Sequence, residues 1–75
     1  MDKARLGRRI KAFRKLKGYT QIGLAEKLDI SVMCLGNVER GEKRATIELL
    51  NQIANQLSVS KQELMNTASG GEKDG

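Results

Sequence analysis

Histidine, proline and tryptophan are absent from this 75-residue chain, and cysteine, phenylalanine and tyrosine occur once each. Without histidine the commonest general base is missing, and Cys34 alone can build neither a zinc cluster nor an intrachain disulfide. The absence of proline excludes a proline-rich linker. The longest unbroken apolar run is the four residues Val32-Met33-Cys34-Leu35, against the roughly 20 needed to cross a bilayer. No charged segment followed by an apolar one opens the chain in the manner of an export signal, so it reads as soluble and unexported. No glycine loop of the phosphate-cradling kind occurs, and no cofactor, metal or small-molecule ligand is expected. Two pairs of neighbouring carboxylates, Glu26 with Asp29 and Glu39 with Glu42, lie at helical spacing near helix ends, where capping and ion pairing use such groups. Cys34 is better suited to packing than to chemistry, having no histidine to activate it. The chain is not expected to be an enzyme.

What the chain has is charge, and the charge is uneven. Residues 1–44 hold 12 basic and 5 acidic side chains, a net +7, whereas residues 45–75 hold 2 and 4, a net −2. A field of this shape steers a polyanion toward one side of a molecule, although a basic helix face can equally be a solvated surface. Hydrophobic residues make up 39%, enough for one small core near the lower limit at which an unstapled domain folds.

Apolar spacing predicts five short helices. Leu6, Ile10, Phe13 and Leu16 form a stripe on the first, which stops at Gly18 and is otherwise cationic through Lys3, Arg5, Arg8, Arg9, Lys11, Arg14, Lys15 and Lys17. Thr20 is the N-cap of the second, with Tyr19 and Leu24 as a hydrophobic staple. Ile22, Leu24, Ala25 and Leu28 face inward, and the helix ends near Asp29. Ser31 caps the third, which runs to about Glu39 with Leu35 and Val38 buried and Gly41 closing it. The fourth starts at Thr46 and places Ile47, Leu50, Ile53, Ala54 and Leu57 on one face. Ser60 and Glu63 form a capping box that opens a fifth helix reaching about Asn66. Residues 67–75 read as a flexible tail, leaving 1–66 as the single domain.

Two short capped helices joined by a tight turn, behind a basic helix, match the arrangement that presents a second helix to the DNA major groove. On the residues Ile10 through Gln21, Leu24-Ala25-Glu26-Lys27-Leu28, Ile30-Ser31, Val38-Glu39-Arg40-Gly41 and Leu57-Ser58-Val59-Ser60 with Leu64, the chain resembles the Cro/CI-type (lambda-repressor-like, XRE) helix-turn-helix family over about residues 5–66. The resemblance implies an all-α bundle of five short helices that binds double-stranded DNA and regulates transcription. It implies base reading by Val32, Met33, Gly36 and Asn37 at the start of the third helix and one turn later. Asn37 can pair with adenine, and Val32 and Met33 can make only apolar contacts such as one to a thymine methyl. Phosphate contacts fall to Thr20, Gln21, Ser31, Arg40, Lys43 and Arg44, and the resemblance makes Arg14 and Glu39 a structural ion pair. The family tends to act as dimers on inverted repeats, and the less basic 45–66 segment, through Leu49, Leu64 and Met65, is the surface left for a homodimer, formed in advance or only on DNA. A bacterial cytoplasm, with the nucleoid as the place of DNA binding, is the expected location.

A different class of function stays open beside this one. Val32 and Met33 are unusual for base reading and could instead form an apolar surface for a partner regulator. The concentration of basic residues around the third helix favours DNA. A basic amphipathic helix on a membrane surface is disfavoured, because the first helix needs its apolar stripe for the core.

Overall fold

The structure is a computed structural model that describes residues 2–65. Within them all regular structure is helical: α1 (Lys3–Leu16), α2 (Gln21–Leu28), α3 (Val32–Glu39), α4 (Ile47–Leu57) and α5 (Lys61–Met65). The caps expected at Thr20, Ser31 and Ser60 are in place, and Thr46 and Asp2 cap their helices as well. Thr20, Ser31 and Thr46 each accept from the backbone N–H three residues on, at 2.9, 3.0 and 3.0 Å, and Asp2 accepts from the Ala4 N–H, two residues on, at 3.0 Å. The Ser60 hydroxyl accepts from the Glu63 N–H while the Glu63 carboxylate accepts from the Ser60 N–H, completing the capping box. Asn66 and the tail 67–75 lie outside the described residues.

The helix ends were harder to read. Gly18 and Gly41 close α1 and α3 with φ of 86° and 77°, as their lack of a Cβ allows. After α2 and α4 the same left-handed turn falls to Asp29 and Ser58, at φ 58° and 59°. At both ends the next residue, Ile30 or Val59, sends its N–H back to Ala25 or Ala54 and packs its side chain on the core. That contact holds a non-glycine residue where glycine would be less strained.

The core draws on every helix: Leu6 and Ile10, then Leu24, Ala25 and Leu28, then Leu35 and Val38, then Leu50, Ile53, Ala54 and Leu57, and finally Leu64. Three expected core positions are instead exposed, namely Leu16, Ile22 and Ile47. At about 100° per residue, Leu16 points roughly 135° away from the mean direction of the buried set Leu6, Gly7, Ile10 and Arg14. The inward face of α1 is therefore turned toward Gly7 and Arg14 rather than centred on the apolar stripe. Ile22 and Ile47 sit in the first turns of α2 and α4, beyond the edge of the core.

Gly7 explains the turning of α1. It lies against the end of α3, and a Cβ built on it would stand 2.3 Å from the Val38 carbonyl oxygen and 2.5 Å from that of Glu39. Gly41 meets α1 in a similar way, with its Cβ position 2.6 Å from the Ala4 Cα. Two backbones thus touch where side chains would hold them apart, which brings the C-terminal end of α3 directly onto the first half of α1.

Gly7→Ala should destabilise the domain by about 2 kcal/mol or more. Alanine gains roughly 1 kcal/mol of helix propensity, but its methyl collides with backbone atoms that cannot rotate away. Ser58→Gly should stabilise it by about 1 kcal/mol by relieving a left-handed non-glycine residue. Urea unfolding followed by circular dichroism reads both signs.

Candidate nucleic-acid interface

A buried ion pair stands behind the exposed side of α3. Arg14 Nε donates to Glu39 Oε2 at 2.7 Å and Arg14 Nη2 to Glu39 Oε1 at 3.3 Å, with the two side chains only 8% and 2% exposed. Arg14 Nη1 donates to the Tyr19 carbonyl oxygen at 2.9 Å, and Gln21 Nε2 donates to Glu39 Oε1 at 3.0 Å. One carboxylate thus joins α1, the end of α3 and the first residue of α2. The Tyr19 hydroxyl adds a fourth element by accepting from Gln56 Nε2 on α4 at 3.0 Å.

Because α3 buries Leu35, Val38 and Glu39, its helical repeat turns Met33, Asn37 and Arg40 to the outside, with Val32 and Gly36 along one margin and Cys34 along the other. Val32 and Met33 are solvent-exposed and Asn37 is half-buried. Gly36 is buried, because the Arg40 guanidinium and the Gln21 carboxamide lie over it. Its Cβ position would be 3.0 Å from Arg40 Nη1 and 3.6 Å from Gln21 Nε2. The residue expected to face bases is therefore a seat for two side chains.

Along the Gly36 margin the N-terminus of α2 opens, with Thr20 and Gln21. Along the Cys34 margin the loop after α3 returns. The Asn37 carbonyl accepts from the N–H groups of Glu42 and Lys43, and Lys43 Nζ comes to 3.7 Å from Cys34 Sγ in the first turn of α3. Arg44 lines the same shallow cleft as Cys34 and Lys43. A lysine beside the N-terminus of α3, with Ser31 at its cap, adds positive charge to a helix end that already favours anions.

Several expected cations are used internally. Arg9 donates from Nε to the Leu64 carbonyl at 3.0 Å and from Nη2 to the Glu63 carbonyl at 2.6 Å, and its guanidinium lies 5.4 Å from the Phe13 ring centroid. It closes the end of α5 onto α1, as Arg14 closes α3. Lys3, Arg5, Arg8, Lys11, Lys15 and Lys17 remain exposed. Leu64, expected on a self-association surface, is fully buried and cannot serve there, whereas Leu49 and Met65 are half-buried. Sequence reasoning missed Gly7 and Arg9. The signal for Gly7 was a glycine inside an otherwise strong helix, and Arg9 had none, since one arginine among eight cations looks like the rest.

The fold and this arrangement of two capped N-termini around an exposed second helix define a helix-turn-helix protein. The sequence model of the helix-turn-helix family matches residues 10–64, and the chain belongs to that family, in its XRE, Cro/CI-type branch. It is 52% identical over 58 residues to an uncharacterised HTH-type transcriptional regulator, YazB, of Bacillus subtilis, covering 77% of this chain and 84% of that one. It is 37% identical over 71 residues to the HTH-type transcriptional regulator SinR of Bacillus licheniformis, covering 93% of this chain and 64% of SinR. Among solved structures, the clp gene regulator ClgR of Corynebacterium glutamicum superposes with a TM-score of 0.84 at 32% identity, over 88% of this chain and 70% of that one. The restriction-modification controller protein C.AhdI of Aeromonas hydrophila does so with a TM-score of 0.80 at 28% identity, over 84% and 96%. The family consists of DNA-binding regulators and not of enzymes.

Glu39→Ala should cost roughly 3–5 kcal/mol, because it leaves Arg14 charged and buried without its partner. The double replacement Arg14→Met with Glu39→Leu should recover most of that loss. Thermal denaturation of the three proteins gives the comparison.

Proposed function

We propose that the protein is a sequence-specific transcriptional regulator that lays α3 in the major groove of double-stranded DNA. The observation that carries this reading is the convergence of the α2 and α3 N-termini and the 40–44 loop on the margins of one exposed helix face. Thr20 and Gln21 on one margin, and Ser31, Lys43 and Arg44 on the other, would meet the two phosphate strands that border a groove. Arg40 adds a further positive charge at the end of the helix, and the exposed lysines and arginines of α1 extend the cationic surface. The hydroxyls of Thr20 and Ser31 already accept from the backbone, and each keeps a proton to donate to a phosphate oxygen.

The Gln21 amide nitrogen is held by Glu39, which fixes the carboxamide at the helix entrance and leaves the α2 backbone N–H groups to point at the strand. Within the groove, Met33 and Val32 offer apolar contact to a thymine methyl and Asn37 a carboxamide to base edges. A single domain of this size reads few base pairs. Two copies on an inverted repeat, with half-sites about 34 Å apart, would extend the site, through a surface on the 45–65 side that includes Leu49 and Met65. Such a regulator works in the cytoplasm, on the nucleoid.

Selection from a randomised duplex pool at about 150 mM salt tests the reading. Wild-type protein is expected to enrich a defined half-site, and Lys43→Ala with Arg44→Ala to weaken all sequences alike while flattening the salt dependence by about two counterions. A folded protein that enriches no sequence sinks the proposal and turns attention to Val32 and Met33 as a contact for another protein.

A further inference from the structure

Arg40 does not extend from the end of α3 toward solvent but folds back along it. Its Nη2 donates to Asn37 Oδ1 at 2.6 Å, its Nε lies 3.4 Å from Glu42 Oε1, and its Nη1 rests against Gly36. A helical side chain covers the surface N-terminal to its own Cα, so Arg40, at the helix C-cap, delivers its guanidinium to the middle of the exposed face. There it stands in line with Met33, two turns earlier. A Cβ at position 36 would press on its Nη1 at 3.0 Å, so the guanidinium lies this close to the helix because it rests over a glycine. The arginine remains 56% exposed, so the guanidinium has room to reach outward.

We propose that Arg40 is a base-reading residue that recognises a guanine, with Gly36 as its seat and Asn37 as its positioning residue. This rests on the DNA-binding reading above and changes the role of Arg40 from phosphate contact to specificity determinant. The chemistry of the face favours it. Val32 and Met33 have no hydrogen-bonding groups, and the Asn37 amide oxygen, the acceptor that adenine would engage, already takes a bond from Arg40 and has one lone pair left. Arg40 keeps both Nη1 protons and the second Nη2 proton unpaired, a fork that matches guanine O6 and N7. The Asn37 carboxamide and the Glu42 carboxylate fix the plane of that fork before binding, which reduces the side-chain ordering that reading would otherwise require.

Arg40→Lys separates the two roles, since lysine keeps the charge but not the planar fork. Wild type, Arg40→Lys, Asn37→Ala and the double variant are each taken through the randomised duplex pool, and the bound and unbound fractions are sequenced. Arg40→Lys is expected to lose about 5- to 150-fold of discrimination at one G·C pair and to keep the other positions of the half-site. Asn37→Ala is expected to relax the same pair, with the double variant no worse than the single ones. If wild type enriches a half-site and Arg40→Lys retains its full profile, the planar fork is not what reads the pair and the inference falls, while the DNA-binding reading survives. If Asn37→Ala relaxes a separate A·T pair, the positioning role of Asn37 is overturned. A wild type that enriches nothing removes the underlying reading itself.

Discussion

The position of α3 depends on one buried ion pair. The helix has eight residues, far fewer than an isolated helix needs to persist in water, and it contains Gly36 at a further cost of about 1 kcal/mol. Leu35 and Val38 tie it to the core, but apolar contacts allow a short helix to roll. Glu39 prevents that, because its carboxylate satisfies both Arg14 from α1 and Gln21 from α2 and has no other place to put a buried charge. Against well-packed apolar residues such a pair is worth little in stability. Its contribution is geometric: it fixes the rotation of the exposed face against the entrance to α2.

The glycine contacts supply the other half of this constraint. Gly7 permits the close crossing of α1 and α3 by leaving the Val38 and Glu39 carbonyls room, and Arg14, two turns further along the same face of α1, reaches Glu39. Gly41 then lets the loop after α3 pass over Ala4 and turn back, which brings Lys43 to the first turn of the helix it has just left. Without that reversal the basic loop would trail from the wrong end of α3. Packing and charge placement are thus one problem, solved at the crossing of α1 and α3.

Much of this was legible in the sequence, for reasons that differ from part to part. The starts of α2, α3 and α4 could be read because Thr20, Ser31 and Thr46 act locally through their own hydroxyls. The rotation of α1 could not, because it is set by Glu39, 25 residues away from Arg14, and by a collision that Gly7 avoids. Leu16 therefore looked like core and lies outside it. Net charge misled in a similar way. Arg9 and Arg14 count as cations in the sequence, but one holds the α5 carbonyls and the other is neutralised in the interior, so the cationic surface is smaller than the tally. The candidate site was legible as a set of positions. How Arg40 lies over Gly36 was not, because the direction of a long side chain depends on what its neighbours leave vacant.

An apolar first turn on a helix that enters a groove need not mean weak recognition. On the proposed reading Val32 and Met33 add shape and methyl contact, and methionine, being unbranched, can adapt its shape to a base edge. Discrimination, however, comes chiefly from polar groups that are left unpaired against the wrong base, and on α3 these occur only in its second half, at Asn37 and Arg40. On the proposed reading the two ends of the helix divide the work. The first turn, with Ser31, Lys43 and the helix N-terminus, would lie where attraction to the backbone is strongest and least selective, and the last turn would carry the donors that can tell one base pair from another. The last turn is also the part of α3 clamped by Glu39 and crossed by Gly7. The donors that require the tightest geometry stand on the best-anchored backbone of the face, an arrangement that a readout by angle and distance demands and that attraction to phosphate alone would not.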